Sequence, residues 1–130
     1  MLVNLKSVLD KAQKGQYAVA AFNMTALETA IGAITAAEEE KSPVILQVSE
    51  KTIQYMGLEL SASSALTLAH KATVPVVVHF DHGRNFPLVR QSIDAGFSSV
   101  MLDVSKVDIS ERVKFVKDFV ELAHKKQVTV

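Results

Sequence analysis

Short apolar runs alternate with longer amphipathic stretches along this chain of 130 residues. The apolar runs predict strands at residues 17–22, 44–48, 76–80 and 98–102, and residues 128–130 predict the start of a fifth strand. The runs show no alternation of apolar and polar residues. They therefore predict strands that are apolar on both faces, as in a parallel sheet covered on both sides.

Apolar residues at helical spacing predict helices in the intervening segments. These segments are residues 5–15, 25–41, 60–71, 86–95 and 109–126, with a short helical turn at 49–56 closed by Gly57. Asn4 and Asn85 are predicted N-caps. Two capping boxes, Thr25 with Glu28 and Asp108 with Glu111, predict the starts of two further helices.

The alternation repeats at roughly 30 residues and predicts a parallel α/β sheet. Two architectures fit this pattern. A five-stranded doubly wound sheet is complete at this length. A (β/α)₈ TIM barrel needs about 250 residues, so the chain represents about half a barrel, with strands 1–4 and the start of strand 5. Since no helix follows the fifth strand, we favour one partial barrel domain over residues 1–130.

Composition narrows the function classes. Hydrophobic residues make up 48% and charged residues 22% of the chain, which is typical of a globular domain with a core. The formal net charge of zero provides no field to attract nucleic acid or an acidic membrane. Cysteine is absent, so a metal site must use histidine, aspartate or glutamate. The sequence shows no secretory signal and no apolar run that spans a bilayer, and we expect a cytoplasmic protein.

Polar residues follow each of the four predicted strands: Asn23, Ser49, Asp81 with His82, and Asp103. The carboxyl ends of parallel strands meet at one edge, where α/β enzymes carry their chemistry. A carboxylate can transfer protons and a neutral imidazole can bind a metal. Taken singly, each of these residues fits a turn or a helix cap equally well. All four strand ends together favour an enzyme site.

His79 lies two residues before Asp81 and faces the same side of the third predicted strand. We interpret it as a buried, hydrogen-bonded histidine that positions the neighbouring site.

Four segments carry a resemblance to a known family. They are Ala21-Phe22-Asn23, residues 36–50, His79-Phe80-Asp81-His82-Gly83 and residues 94–103. Together they resemble the class II fructose-bisphosphate aldolases, in particular the branch shared with tagatose-bisphosphate aldolases. The resemblance implies a (β/α)₈ barrel, a catalytic zinc ion and a dimer or tetramer. It also implies reversible aldol cleavage of a ketose 1,6-bisphosphate to dihydroxyacetone phosphate and glyceraldehyde 3-phosphate, with zinc as the Lewis acid.

The resemblance also implies roles for the polar strand ends. Asp81 matches the proton donor and acceptor, and His82 matches a zinc ligand. Asp103 matches a ligand of a second, mobile metal site. Asn23 and Ser49 match residues that contact the substrate.

Several features of the family are missing or changed. Its other two zinc histidines, its phosphate-binding loops and its base for the ketone's α-proton lie in the second half of the barrel. Near the predicted site, Arg84-Asn85, Lys51-Thr52 and Val104-Ser105-Lys106 replace residues that are typical of the family. These bulky or charged replacements suggest a relaxed constraint on the site.

We therefore expect zinc to bind weakly or not at all to this chain alone. The expected partners are ketose bisphosphate or triose phosphate substrates, together with a second copy of the chain or a complementing C-terminal half. The alternative is a non-catalytic, truncated remnant that acts only as a folded or oligomerising domain.

Overall fold

Six helices and four strands follow one another in the computed structural model, which describes residues 1–130. In chain order they are α1 (Leu5–Gly15), β1 (Ala20–Asn23), α2 (Leu27–Glu39), β2 (Val44–Ser49), α3 (Glu50–Met56), α4 (Leu58–Lys71), β3 (Val76–Gly83), α5 (Phe86–Asp94), β4 (Ser99–Leu102) and α6 (Ile109–Lys125). No helix combines the length and the apolar composition needed to cross a bilayer.

The four strands form one parallel sheet in the order β1-β2-β3-β4. The chain then returns beside β4, where Thr129 bridges to Ser99 and accepts a hydrogen bond from the Val100 amide at 2.9 Å. A doubly wound sheet changes direction at a switch point. In this sheet each new strand pairs with the strand before it in the chain, so the sheet grows at one edge, as in a barrel. The prediction of an α/β fold with half a barrel is confirmed.

The helices that connect the strands pack on one face of the sheet, which we call the outer face. Its core joins alternate strand residues to small and branched residues of α2, α4 and α5: Val44, Leu46, Val48, Val76, Val78, Phe80 and Val100 from the strands, and Ala30, Ile34, Ala62, Ala65, Ala69, Val89 and Ile93 from the helices. The ring of Phe80 meets that of Phe97 edge to face at 6.2 Å. Alanines on α2 and α4 let these helices approach the sheet closely.

The opposite face, here called the inner face, differs between its two ends. At the amino-terminal end α1 covers the strands, and Val8 packs with Ile45 and Val77. Nearer the carboxyl ends of the strands, the residues that the register places side by side on this face form a polar row: Asn23, Gln47, His79 and Ser99. The prediction of strands apolar on both faces is therefore wrong above the layer that α1 covers.

The first strand and the second helix begin later than predicted. Gln16 turns the chain with a φ of 55°, and the amide of Tyr17 bonds back to Ala12, so pairing starts only at Ala20. The prediction of a capping box at Thr25 and Glu28 is wrong. Ala26 is the N-cap, and the hydroxyl of Thr29 accepts its amide at 3.2 Å.

Two other boundaries show how side chains and pairing set element ends. Asp108 caps α6 as predicted, but it accepts the amide of Ser110 at 2.9 Å rather than sharing a reciprocal box with Glu111. Strand β3 continues to Gly83, three residues past the predicted end, because Gly83 pairs with Leu102. The remaining boundaries agree within two residues, which is the usual uncertainty of helix and strand ends.

Candidate active site at the carboxyl ends of the strands

The carboxyl ends of β2, β3 and β4 form a polar rim. The strand register pairs Ser49 with Asp81 directly. Beside them lies a cavity of about 440 Å³ lined only by polar residues: Ser49, Glu50, Lys51, Gln54, His82 and Arg84. The predicted strand-end residues Ser49 and His82 thus share one cavity.

The end of β3 has a strained backbone that turns His82 outward. His82 has a φ of 54°, a left-handed value that is uncommon for a residue other than glycine. The next residue, Gly83, leaves no space for a side chain, since a Cβ atom there would lie 2.3 Å from Val89 and 2.5 Å from Phe80. The register shift between Phe80 and Gly83 accommodates this turn. The imidazole of His82 consequently faces solvent.

The imidazole of His82 lies between two carboxylates. Its Nε2 atom is 3.8 Å from Oδ1 of Asp81, and its Nδ1 atom is 3.9 Å from Oδ2 of Asp103. Both separations exceed hydrogen-bond length. The side chain of His82 is 60% exposed, whereas that of Asp81 is 16% exposed. The rim therefore presents an accessible imidazole next to a largely covered carboxylate.

Asp103 is already engaged by its neighbours. Its Oδ2 atom accepts a hydrogen bond from Nε of Arg84 at 2.7 Å, and its Oδ1 atom accepts the amide of Ser105 at 3.1 Å. Hydrogen bonds from Ser105 and Arg84 stabilise the charged carboxylate and lower the pKa of Asp103 below its ordinary range. The same contact raises the pKa of Arg84.

Glu50, the first residue of α3, contacts the loop after β3. Its Oε2 atom accepts the amides of Arg84 at 2.7 Å and Asn85 at 3.0 Å. The sequence predicts no role for Glu50, and Arg84 was interpreted from it as a sign of relaxed constraint on the site. The available signal was an acid next to Ser49 and a base next to Gly83, because these two residues stand at the ends of neighbouring predicted strands.

His79 lies below the rim on the inner face. Its Nδ1 atom and the hydroxyl of Ser99 are 2.8 Å apart. Burial disfavours the charged imidazole and lowers the pKa of His79, although the nearby charge of Asp81 acts in the opposite direction. Near neutral pH the ring is therefore uncharged beneath the site, and it is hydrogen-bonded as sequence analysis predicted.

The remaining candidates are placed differently. Asn23 belongs to the polar row with Gln47 and His79, and it does not line the cavity. Ser49 lines the cavity and also caps α3, since its hydroxyl accepts the amide of Thr52 at 3.2 Å. The capping interpretation and the substrate-contact interpretation of Ser49 are thus compatible.

The family model described as fructose-bisphosphate aldolase class-II matches residues 3–130. The chain belongs to this family. It is 44% identical to the fructose-bisphosphate aldolase of Geobacillus stearothermophilus and 39% identical to the 6-phospho-5-dehydro-2-deoxy-D-gluconate aldolase of Halalkalibacterium halodurans. In both cases the alignment covers 99% of this chain and 46% of the relative.

A solved structure agrees with the sequence comparison. The crystal structure of the YdjI aldolase from Escherichia coli K12 superposes with a TM-score of 0.90 at 34% identity, over 98% of this chain and 50% of that chain. The chain spans about half the length of the class-II aldolases it matches.

Class-II aldolases are generally zinc-dependent, and the donor set of these residues can be tested against that metal. Catalytic zinc normally takes three protein ligands. The rim offers the single imidazole of His82, and no three histidine, aspartate or glutamate side chains in the chain are grouped closely enough to hold a metal ion. Residues 1–130 by themselves do not fit a catalytic zinc site.

Proposed function

We propose that this chain supplies the proton-transferring part of a class-II aldolase site. The intact reaction is reversible cleavage of a ketose 1,6-bisphosphate to dihydroxyacetone phosphate and glyceraldehyde 3-phosphate. The observation that carries the proposal is the covered carboxylate of Asp81 beside the exposed imidazole of His82, on the rim of a half barrel that belongs to this family.

Asp81 performs the proton transfer. In cleavage its carboxylate takes the proton of the substrate hydroxyl whose oxygen becomes the aldehyde, and in condensation it returns that proton. Ser49 is paired with Asp81 in the sheet and contacts the substrate from the next strand. Asn23 does so from β1, where its side chain lies on the exposed edge of the sheet.

His82 is this chain's contribution to a zinc site whose other ligands lie outside residues 1–130. The predicted role of Asp103 as a ligand of a second metal is untested. In this chain its carboxylate accepts hydrogen bonds from Arg84 and Ser105. Turnover then requires a second polypeptide segment that completes both the metal site and the barrel.

The experiment is complementation. The chain is co-expressed with the C-terminal half of the Geobacillus stearothermophilus relative, and cleavage of fructose 1,6-bisphosphate is measured with zinc present. We expect turnover by the pair, and neither tight zinc binding nor turnover by the chain alone. A chain that binds stoichiometric zinc and cleaves the substrate alone contradicts this expectation.

Asp81→Ala in the complemented pair should lower kcat by about 10²–10⁴-fold, the usual contribution of a positioned acid–base group. Asp10→Ala is the matched control, because Asp10 is exposed on α1 and pairs only with Lys6. Near-normal turnover by the Asp81→Ala pair would show that the assignment of Asp81 is wrong.

The alternative function is a non-catalytic domain that self-associates. Its supporting observation is an apolar groove along the open edge of β1. The groove is lined by Tyr17, Ala18, Ala20, Phe22, Ala33, Ala36, Ala37 and Val44, together with Glu40, Lys41, Ser42 and Pro43. At the other end of the sheet α6 exposes Ile109 and Val113, which are 78% and 79% accessible. A pair that co-purifies and binds zinc but lacks turnover would favour this alternative.

Both functions predict association through the open edge, since unpaired strand edges and apolar patches are rare on monomers. Light scattering after size exclusion at micromolar concentration should give a mass above 14.1 kDa. Phe22→Lys on β1 should shift the chain toward the monomer, and Tyr55→Lys on α3, at a residue 88% exposed, should not. A cooperative, monomeric wild type would refute the prediction.

A further inference from the structure

A chain of polar contacts joins the segments that follow three strands of the sheet. Glu50, after β2, accepts the amides of Arg84 and Asn85, after β3. The guanidinium of Arg84 in turn donates to Asp103, after β4, at 2.7 Å. These contacts link residues 34 and 19 positions apart in sequence. Arg84 is the member that contacts both neighbours.

Asp103 stands at the rim with a cation in direct contact. Its side chain is 9% exposed with Arg84 against it, and a charged donor forms a stronger hydrogen bond to a carboxylate than a neutral donor does. Arg84 lies at contact distance, whereas the imidazole of His82 lies 3.9 Å from the same Oδ2 atom. With Ser105 on Oδ1, both oxygens of the carboxylate have protein partners.

We infer that the guanidinium of Arg84 is the resident cation of the Asp103 carboxylate and occupies the position that a metal ion would need. Arginine remains charged at every physiological pH and, unlike a metal ion, cannot dissociate from the chain. Arg84 is thus a positioning residue that connects the start of α3 with the loops after β3 and β4. This inference does not rest on aldol cleavage, because its test measures metal binding rather than turnover.

The test is a titration of the full chain with Mn²⁺. The concentration of free Mn²⁺ is measured by electron paramagnetic resonance. Mn²⁺ is the probe because it favours carboxylate ligands. Arg84→Gln removes the charge and keeps much of the side-chain length, and Arg84→Lys keeps the charge. Each variant is made with and without Asp103→Asn, and circular dichroism checks that each is folded.

Wild type should show no Mn²⁺ binding that depends on Asp103, so Asp103→Asn should leave its titration unchanged. Arg84→Gln should bind Mn²⁺ tighter by roughly tenfold or more, because a unit positive charge next to the site has been removed. The gain should disappear in Arg84→Gln/Asp103→Asn and should be absent in Arg84→Lys.

Two results would overturn the inference. One is Mn²⁺ binding by wild type that weakens in Asp103→Asn, since the carboxylate would then be open to metal despite Arg84. The other is a folded Arg84→Gln variant that binds Mn²⁺ no better than wild type. If Arg84→Gln does not fold, the comparison of wild type with Asp103→Asn decides alone.

Discussion

Val78 and Phe80 are fully buried on the outer face of β3. On the other side, His79 between them is partly buried and Met101 on β4 is exposed. The outer face is closed by helices that the chain itself supplies. On the inner face α1 covers Ile45 and Val77 at the amino-terminal end, whereas Gln47 and His79 beyond them are partly exposed. The difference shows that the half barrel contains its own helix–sheet core on the outer face, whereas its inner face is less completely covered.

The largest effect on stability should come from the outer face. Phe80→Ala removes a fully buried ring and its edge-to-face contact with Phe97, and should lower the free energy of unfolding by about 3–5 kcal/mol. The matched change on the inner face, Met101→Ala, should cost much less, because Met101 is 37% exposed. Urea unfolding of both variants measures the contrast, and equal losses would mean that the two faces are equally packed in solution.

The next largest effect on stability compares a glycine at the rim with a glycine on an exposed helix face. Gly83→Ala places a methyl group against Val89 and Phe80 and should cost about 1–3 kcal/mol by overpacking. Gly32→Ala meets no atom within 4 Å and replaces glycine inside α2. It should stabilise the chain by about 0.5–1 kcal/mol. If Gly83→Ala were as stable as wild type, the close approach of β3 to α5 would be incorrect.

The smallest effect is a pH dependence of the free energy of unfolding that comes from His79 on the inner face. Burial lowers the pKa of His79 below 6.5, so the unfolded chain binds this proton more readily than the folded chain. The stability that depends on neutral His79 is complete above pH 6.5 and is lost as the pH falls from 6.5 through the folded pKa. His79→Asn, which does not titrate, should flatten this part of the profile.

Unfolding midpoints measured between about pH 7.5 and 5 test this prediction. The carboxylate of Asp103 does not change this part of the profile. Its pKa in the folded chain is lowered from 3.8, so the stability that it contributes is present above that value and is lost at lower pH. An unchanged slope in His79→Asn would indicate that the ring is solvated, and that the inner face is more open than its contact with Ser99 suggests.

Local signals in the sequence were sufficient for most elements. Asn4 and Asn85 cap their helices as predicted, with their side chains accepting the amides of Ser7 and Leu88. The prediction failed at Thr25 because a neighbouring hydroxyl, Thr29, was equally able to satisfy the free amides. Helix caps depend on residues close in sequence, so they can be predicted unless two nearby side chains compete for the same amides.

The sequence by itself determined the alternation of strands and helices and the polar residues at the strand ends, because both depend on short-range periodicity. Only the tertiary structure decided the strand order β1-β2-β3-β4, and with it the half barrel rather than the doubly wound sheet. It also decided that Arg84 meets Asp103 and Glu50, since those contacts join residues that the sheet brings together from distant positions. Periodicity is a property of neighbouring residues, whereas pairing between strand ends is a property of the assembled sheet.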